Sequence, residues 1–125
     1  MDRQEIRTFV DRWIALWNAR DVDGVLEHFA DHVTFTSPTA AALIDGSDGV
    51  VRGKAALRDY WSHAVSLTPE LRFELVDTYV GIDTVVINYR NHRGLLVNEV
   101  LTFDGPLVVQ GHATHLDTPP TAAPA

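Results

Sequence analysis

Ile6, Phe9, Val10, Trp13, Ile14 and Trp17 recur at the i, i+3, i+4 spacing of one helical face and predict a first helix. Asp2 and Glu5 stand where a capping box closes a helix start. The run Asn18 to Asp21 breaks the period. Asp21 then opens a second, shorter helix whose stripe reads Val22, Val25, Leu26 and Phe29. Asp21 and Asp23 sit where the positive end of that helix dipole favours anions. So short a link predicts an antiparallel or steeply crossed helix pair.

Val33 to Thr36 alternates apolar and polar, which predicts a short strand ended by Pro38. Thr39 to Gly53 is irregular and rich in glycine, yet it carries Leu43, Ile44, Val50 and Val51. It reads as a long loop folded back over the body as a cover. Lys54 to Ser66 predicts a third helix, with Leu57, Tyr60, Trp61, Ala64 and Val65 on one face and Pro69 forbidding continuation. Beyond Pro69 the period changes from that of a helix to that of a strand. Leu71 to Val80, Thr84 to Asn91, Leu95 to Phe103 and Leu107 to His115 predict four strands. The turns at Gly81–Asp83, Asn91–Gly94 and Asp104–Pro106 join them into an antiparallel meander. Three helices before a long sheet define an α+β class: a cone-shaped, curved antiparallel sheet wrapped on helices from the N-terminal half. Such a cone leaves a hollow at its open end. The expected domain is 1–116, and the proline-rich 117–125 is expected to be a flexible tail.

The 125 residues suffice for one domain with its own core. Cysteine is absent, which excludes disulfides, thiolate nucleophiles and sulfur-ligated metal sites. A net charge of −7 argues against a nucleic-acid partner. No apolar run approaches the roughly 20 residues of a membrane span, and the charged N-terminus lacks a signal-peptide pattern. A cytoplasmic protein is the expectation.

Glu99 is the most informative side chain. It lies among Leu95, Val97, Leu101 and Phe103 on an apolar strand face, where a carboxyl must be paired or protonated. Burial raises its pKa and makes it a candidate general acid. The competing readings are a structural glutamate bonded to Arg90, Asn98 or a tryptophan, and an outward face in a dimer. Trp13, Trp17, Tyr60 and Trp61, with Phe35 and Tyr89, are either core filling or the wall of a pocket for a flat apolar ligand. Whether Tyr89 joins Glu99 on one face depends on the turn around His92–Gly94. Of the two histidines on the last strand, His115 is expected inward and His112 outward, because odd spacing separates their faces. Ser37 has no histidine–acid relay and reads as a strand-end hydrogen bond. His28 and His32, four apart, lack a third ligand and read as solvent-exposed. Asp45 to Gly49 reads as a plain turn. No dinucleotide or phosphate-loop signature is present, so neither metal nor cofactor is implied.

The segments VDRWIALWNARDVDGVLEHFADHVTFTSP, GKAALRDYWSHA and VNEVLTFDGPLVVQGHATH resemble the nuclear transport factor two-like superfamily, in particular its SnoaL-like members. The resemblance covers roughly residues 5–116 and implies a cystatin-like α+β barrel. It also implies acid–base chemistry of isomerase, cyclase, dehydratase or hydrolase type on a small apolar substrate, and dimerisation through the sheet. In ketosteroid isomerases of this group a first-helix tyrosine, a base before the strand-ending proline, and a protonated acid in the sheet do the work. Trp13, Ser37 and Glu99 occupy the matching places, so the acid is kept and the base is not. No aspartate here matches the general acid/base of the polyketide cyclases. Three functions therefore stand side by side: a small-molecule enzyme with Glu99 and His115 as catalytic groups and Trp13, Trp17, Phe35, Ser37, Tyr60, Trp61 and Tyr89 around the ligand; a non-catalytic ligand-binding module; and an association domain. A homodimer is expected under all three, with Val76, Val80, Val86 and Val108 on the outer sheet face.

Overall fold

The computed structural model describes residues 1–117, and the tail expected at 117–125 lies, but for Asp117, outside the described residues. The order of elements is α1 (Arg3–Asn18), α2 (Val22–Leu26), β1 (Phe29–Thr36), α3 (Pro38–Leu43), β2 (Val50–Arg52), α4 (Lys54–Ser66), β3 (Glu74–Val80), β4 (Thr84–Arg90), β5 (Leu96–Asp104) and β6 (Leu107–His115). The six strands form one curved sheet in the order β2-β1-β6-β5-β4-β3. This is the α+β cone that the pattern implies.

Local chemistry accounts for the first half. Asp2 Oδ1 accepts the Glu5 N–H at 2.8 Å and Glu5 Oε1 accepts the Asp2 N–H at 3.0 Å, closing the capping box of α1. Ile6, Phe9, Val10, Trp13 and Trp17 are its buried face. After α1 the chain turns through Arg20 in the left-handed region. The Arg20 guanidinium donates to the carbonyls of Val65, Thr68 and Pro69 at 2.7, 2.8 and 3.1 Å, which satisfies open acceptors at and just beyond the α4 C-terminus. The Asn18 amide brackets Phe73, donating to its carbonyl at 2.9 Å and accepting its N–H at 2.7 Å. The link between the first two helices therefore also ties α4 and the approach to β3 into the cone.

Two segments depart from the pattern. Phe29 belongs to β1, not to the second helix. It satisfies a helical stripe and a buried strand equally well, so periodicity does not separate the two. The expected loop Thr39 to Gly53 holds α3, capped by Ser37 with Pro38 in its first turn, and the edge strand β2, paired antiparallel to β1. His28 and His32 are correspondingly not on one helix. His32 is exposed on β1, whereas His28 packs edge-on against Phe9 at 5.3 Å.

The meander β3–β6 is antiparallel, but β1 joins β6 in parallel. On the concave face Val85, Leu101 and Gly111 form one row. Ile87, Glu99 and Ala113 form the next, and Tyr89, Val97 and His115 form the row nearest the open end. Val86, Val100 and His112 share the convex face with Asn88, Asn98 and Thr114. Two valines expected outside lie otherwise. Val108 is fully buried, and Val80 pairs with buried Val85 and so points to the concave side. The bulges near Leu75/Asp77 and Thr102/Phe103 disrupt strict alternation, which explains the error.

Candidate functional site

A hollow of about 150 Å³ opens at the end of the cone that carries the Asn91–Leu95 turn. Trp17 of α1, Phe35 of β1, Ser37 at the N-cap of α3, Tyr60 and Trp61 of α4, Tyr89 of β4, Glu99 of β5 and His115 of β6 all line it. Six elements and one helix cap thus deliver eight of the nine side chains singled out in the sequence. Trp13 is the ninth and does not line the hollow. It is 2% exposed and sits one layer behind, stacked on Phe73 at 5.9 Å and 5.6 Å from Tyr89.

Glu99 is 6% exposed, and its Oε1 accepts the Tyr89 hydroxyl at 3.0 Å. Tyr89 pairs with Val97, one step along the same face, so its ring reaches diagonally to the carboxyl. The Asn91–Leu95 connection sets this register, with Gly94 left-handed at φ 77°. None of the three partners expected for a structural glutamate is used. Arg90 donates to the Gly94 carbonyl, Asn98 accepts from Asn88 on the convex side, and the buried indole N–H groups of Trp13 and Trp17 have no hydrogen-bond partner among the described residues. Removal from water raises the Glu99 carboxyl from 4.5 to about 7, against the opposing pull of the Tyr89 hydrogen bond. Burial, the nearby carboxylate charge and the shared hydrogen bond push the Tyr89 hydroxyl well above its ordinary range. Near neutrality the pair therefore holds Glu99 partly protonated. Its second oxygen has no hydrogen-bond partner among the described residues.

Ser37 and Tyr60 face the same hollow with their hydroxyl oxygens 3.2 Å apart. Ser37 Oγ also accepts the Thr39 N–H at 3.1 Å as the cap of α3. Burial raises the Tyr60 hydroxyl, the Ser37 and Thr39 hydroxyls oppose that, and the Glu99 charge adds to it. The last contribution places Tyr60 within electrostatic reach of Glu99. His115 sits at the rim, and partial burial lowers its pKa, which keeps it neutral at pH 7.

The remaining wall is aromatic. Trp17 meets Trp61 edge-on at 4.9 Å, Phe35 meets Trp61 at 5.3 Å, and Phe73 stacks on Tyr89 at 4.2 Å. Phe73, Asn91 and His92 were not read as site residues. His92 belongs to a turn in the sequence pattern, yet it lines the mouth with Nδ1 buried and Nε2 3.7 Å from Glu70. Only the length of the turn carries its side chain back over the opening, and no sequence signal marks that. Among the described residues no group of three or more metal-ligating side chains is gathered.

A hydrophobic cone with one buried carboxyl and a ring of hydroxyls defines a class of small-pocket α+β proteins. Residues 10–122 match the SnoaL-like domain, and the chain belongs to that family. A SnoaL-like protein of unknown function from Burkholderia thailandensis is 36% identical, with TM-score 0.86 over 94% of this chain and 99% of that one. A putative polyketide cyclase from Sinorhizobium meliloti has TM-score 0.70 at 13% identity, covering 86% and 94% of the two chains. TerC, co-crystallised with polyporic acid, has TM-score 0.72 at 18% identity, covering 89% and 90%. The latter two likenesses concern the fold. Comparison with curated proteins gives no match.

Proposed function

We propose that this protein binds a small, largely apolar molecule in the hollow and catalyses proton transfer on it, with Glu99 as acid and His115 as base. The observation that carries the reading is a carboxyl buried on an apolar wall, one oxygen held by Tyr89 and the other unpaired. Glu99 pairs with Ala113 and His115 with Val97, so acid and base are diagonal neighbours on one face, on the order of 7–8 Å apart at the backbone. A ketone entering the hollow places its oxygen at the Glu99 proton. His115 takes a proton from the neighbouring carbon while the oxygen gains the Glu99 proton. The resulting enol returns that proton to Glu99 as carbon recovers one from His115, at the same or another position. Isomerisation, aldol-type cyclisation and dehydration share this first step. The putative polyketide cyclase and the TerC complex with polyporic acid, both of this fold, support such a substrate type.

Hydrogen–deuterium exchange of 2-cyclohexen-1-one in D₂O, followed by NMR, tests this. The protein accelerates exchange, and Glu99→Gln and His115→Ala each reduce the acceleration at least tenfold. Exchange at the buffer rate with the unaltered protein rejects the enzyme reading.

A second reading is a ligand-binding module without turnover. It is favoured by Ser37, which holds a helix cap where the isomerases carry their base. The two readings part on that exchange experiment. We also propose a homodimer through the convex face, where the cross-strand pair Val86 and Val100 is apolar and half-buried.

A further inference from the structure

Ser37, Thr39 and Tyr60 bring three hydroxyls to one side of the hollow. Each carries one proton, and the 3.2 Å contact between Ser37 and Tyr60 consumes one. The Thr39 N–H occupies an acceptor position on Ser37 and supplies no hydroxyl proton, while the Thr39 hydroxyl bonds Tyr60 and consumes a second. Three hydroxyl protons and two contacts leave one proton for the hollow. The hollow measures about 150 Å³, and a cavity of about that size admits a benzene-sized ring. Its wall is aromatic on the α1 and α4 side, and no lysine or arginine lines it.

We propose that the site takes neutral, single-ring carbonyl compounds, and that Ser37, Thr39 and Tyr60 act together as one hydroxyl donor which, with Glu99, holds the carbonyl oxygen. The proposal rests on the ligand-binding reading above and narrows it. A carbonyl oxygen has two lone pairs and accepts two such bonds, one from each source. Near pH 7 an anionic ligand finds no lysine or arginine to balance it and a carboxyl that ionises against it. A fused multi-ring ligand exceeds the volume between Trp17, Phe35, Trp61 and Phe73. Because the donor is shared, loss of one hydroxyl leaves the others to serve, and only loss of all three removes the bond.

Calorimetric titration at pH 7 with 2-cyclohexen-1-one, benzoate and the three-ring ketone 9-fluorenone reads each part. Cyclohexenone binds, and the other two bind at least tenfold more weakly. Ser37→Ala, Thr39→Val and Tyr60→Phe each stay within about twofold of the unaltered protein, while the triple variant loses about three- to tenfold, the worth of one hydrogen bond. Methylenecyclohexane, which has no oxygen, binds the triple variant as it binds the parent if the hollow is intact. Fluorenone or benzoate binding as well as cyclohexenone overturns the proposal; this comparison uses the unaltered protein and holds even if the triple variant misfolds. A folded triple variant with parental affinity overturns it, as does a single variant that already shows the full loss. If no ring compound binds the unaltered protein, the ligand-binding reading fails, and the proposal with it.

Discussion

Glu99 keeps its proton in the folded chain to about pH 7, whereas its ordinary pKa is 4.5. Below 4.5 both folded and unfolded chains are protonated at this site. As pH rises from 4.5 to about 7 the unfolded chain ionises first, so stability falls across that window. The contribution is on the order of 3 kcal/mol. Denaturant melts at pH 5 and pH 8 should differ less in Glu99→Gln than in the parent, and an unchanged pH dependence contradicts the assignment. The same protonation limits catalysis. Exchange activity should fall as pH rises through about 7, where Glu99 loses its proton, and fall on acidification as His115 gains one. Sequence alone revealed Glu99, because a lone acid on an apolar face stands out. Its partner was not legible, since Tyr89 or Asn88 reaches that face according to the length of one turn. Trp13 was legible as buried but not as one layer too deep, because a helical stripe gives direction without distance.

At the scale of elements, the short link between α1 and α2 does more than connect. Asn18 brackets Phe73, Arg20 closes the end of α4, and Asp21 caps α2 by accepting the Gly24 N–H at 2.9 Å. A Cβ on Gly24 would lie 2.6 Å from Asp21 Oδ2 and 2.8 Å from Leu16 Cδ2. Alanine in a helix is normally worth about 1 kcal/mol over glycine. Here the crowding reverses the sign, and Gly24→Ala should cost about 1–3 kcal/mol in denaturant unfolding. A neutral or stabilising result would show that the cap gives way. Asn18→Ala should cost a similar amount, about 1–3 kcal/mol, by stripping both partners from the Phe73 backbone. The two long helices were readable from their stripes, and α4 has the predicted bounds. Helix α2 and strand β1 were not separable, because buried residues at Val25, Leu26 and Phe29 fit either period. Helix α3 is a single short piece whose start signal, Ser37-Pro38, was read as a stop.

For the whole molecule, the feature that makes the hollow is the parallel junction of β1 with β6, which brings Phe35 beside Gly111. A Cβ on Gly111 would meet Phe35 Cδ1 at 2.9 Å and Leu101 Cδ2 at 3.2 Å. The Phe35 ring lies close over the sheet there, and that contact helps set the cavity wall. No local pattern reports a pairing between strands over seventy residues apart in sequence, whereas the hairpins of the meander follow from adjacency and turn residues. The convex face was legible in its alternation but not in its details, because bulges moved Val80 and Val108 to the other side. On the remaining surface, Val100→Glu should convert a dimer to a monomer in sedimentation velocity, and a variant still dimeric rejects that face.

A carboxyl held away from water inside an open cone underlies both the proton transfer and the pH dependence of stability. A pH titration of the Glu99 side-chain carboxyl by ¹³C NMR measures this directly. The predicted midpoint is about 7, while a midpoint near the ordinary 4.5 would place the group in solvent and contradict the mechanism built on it.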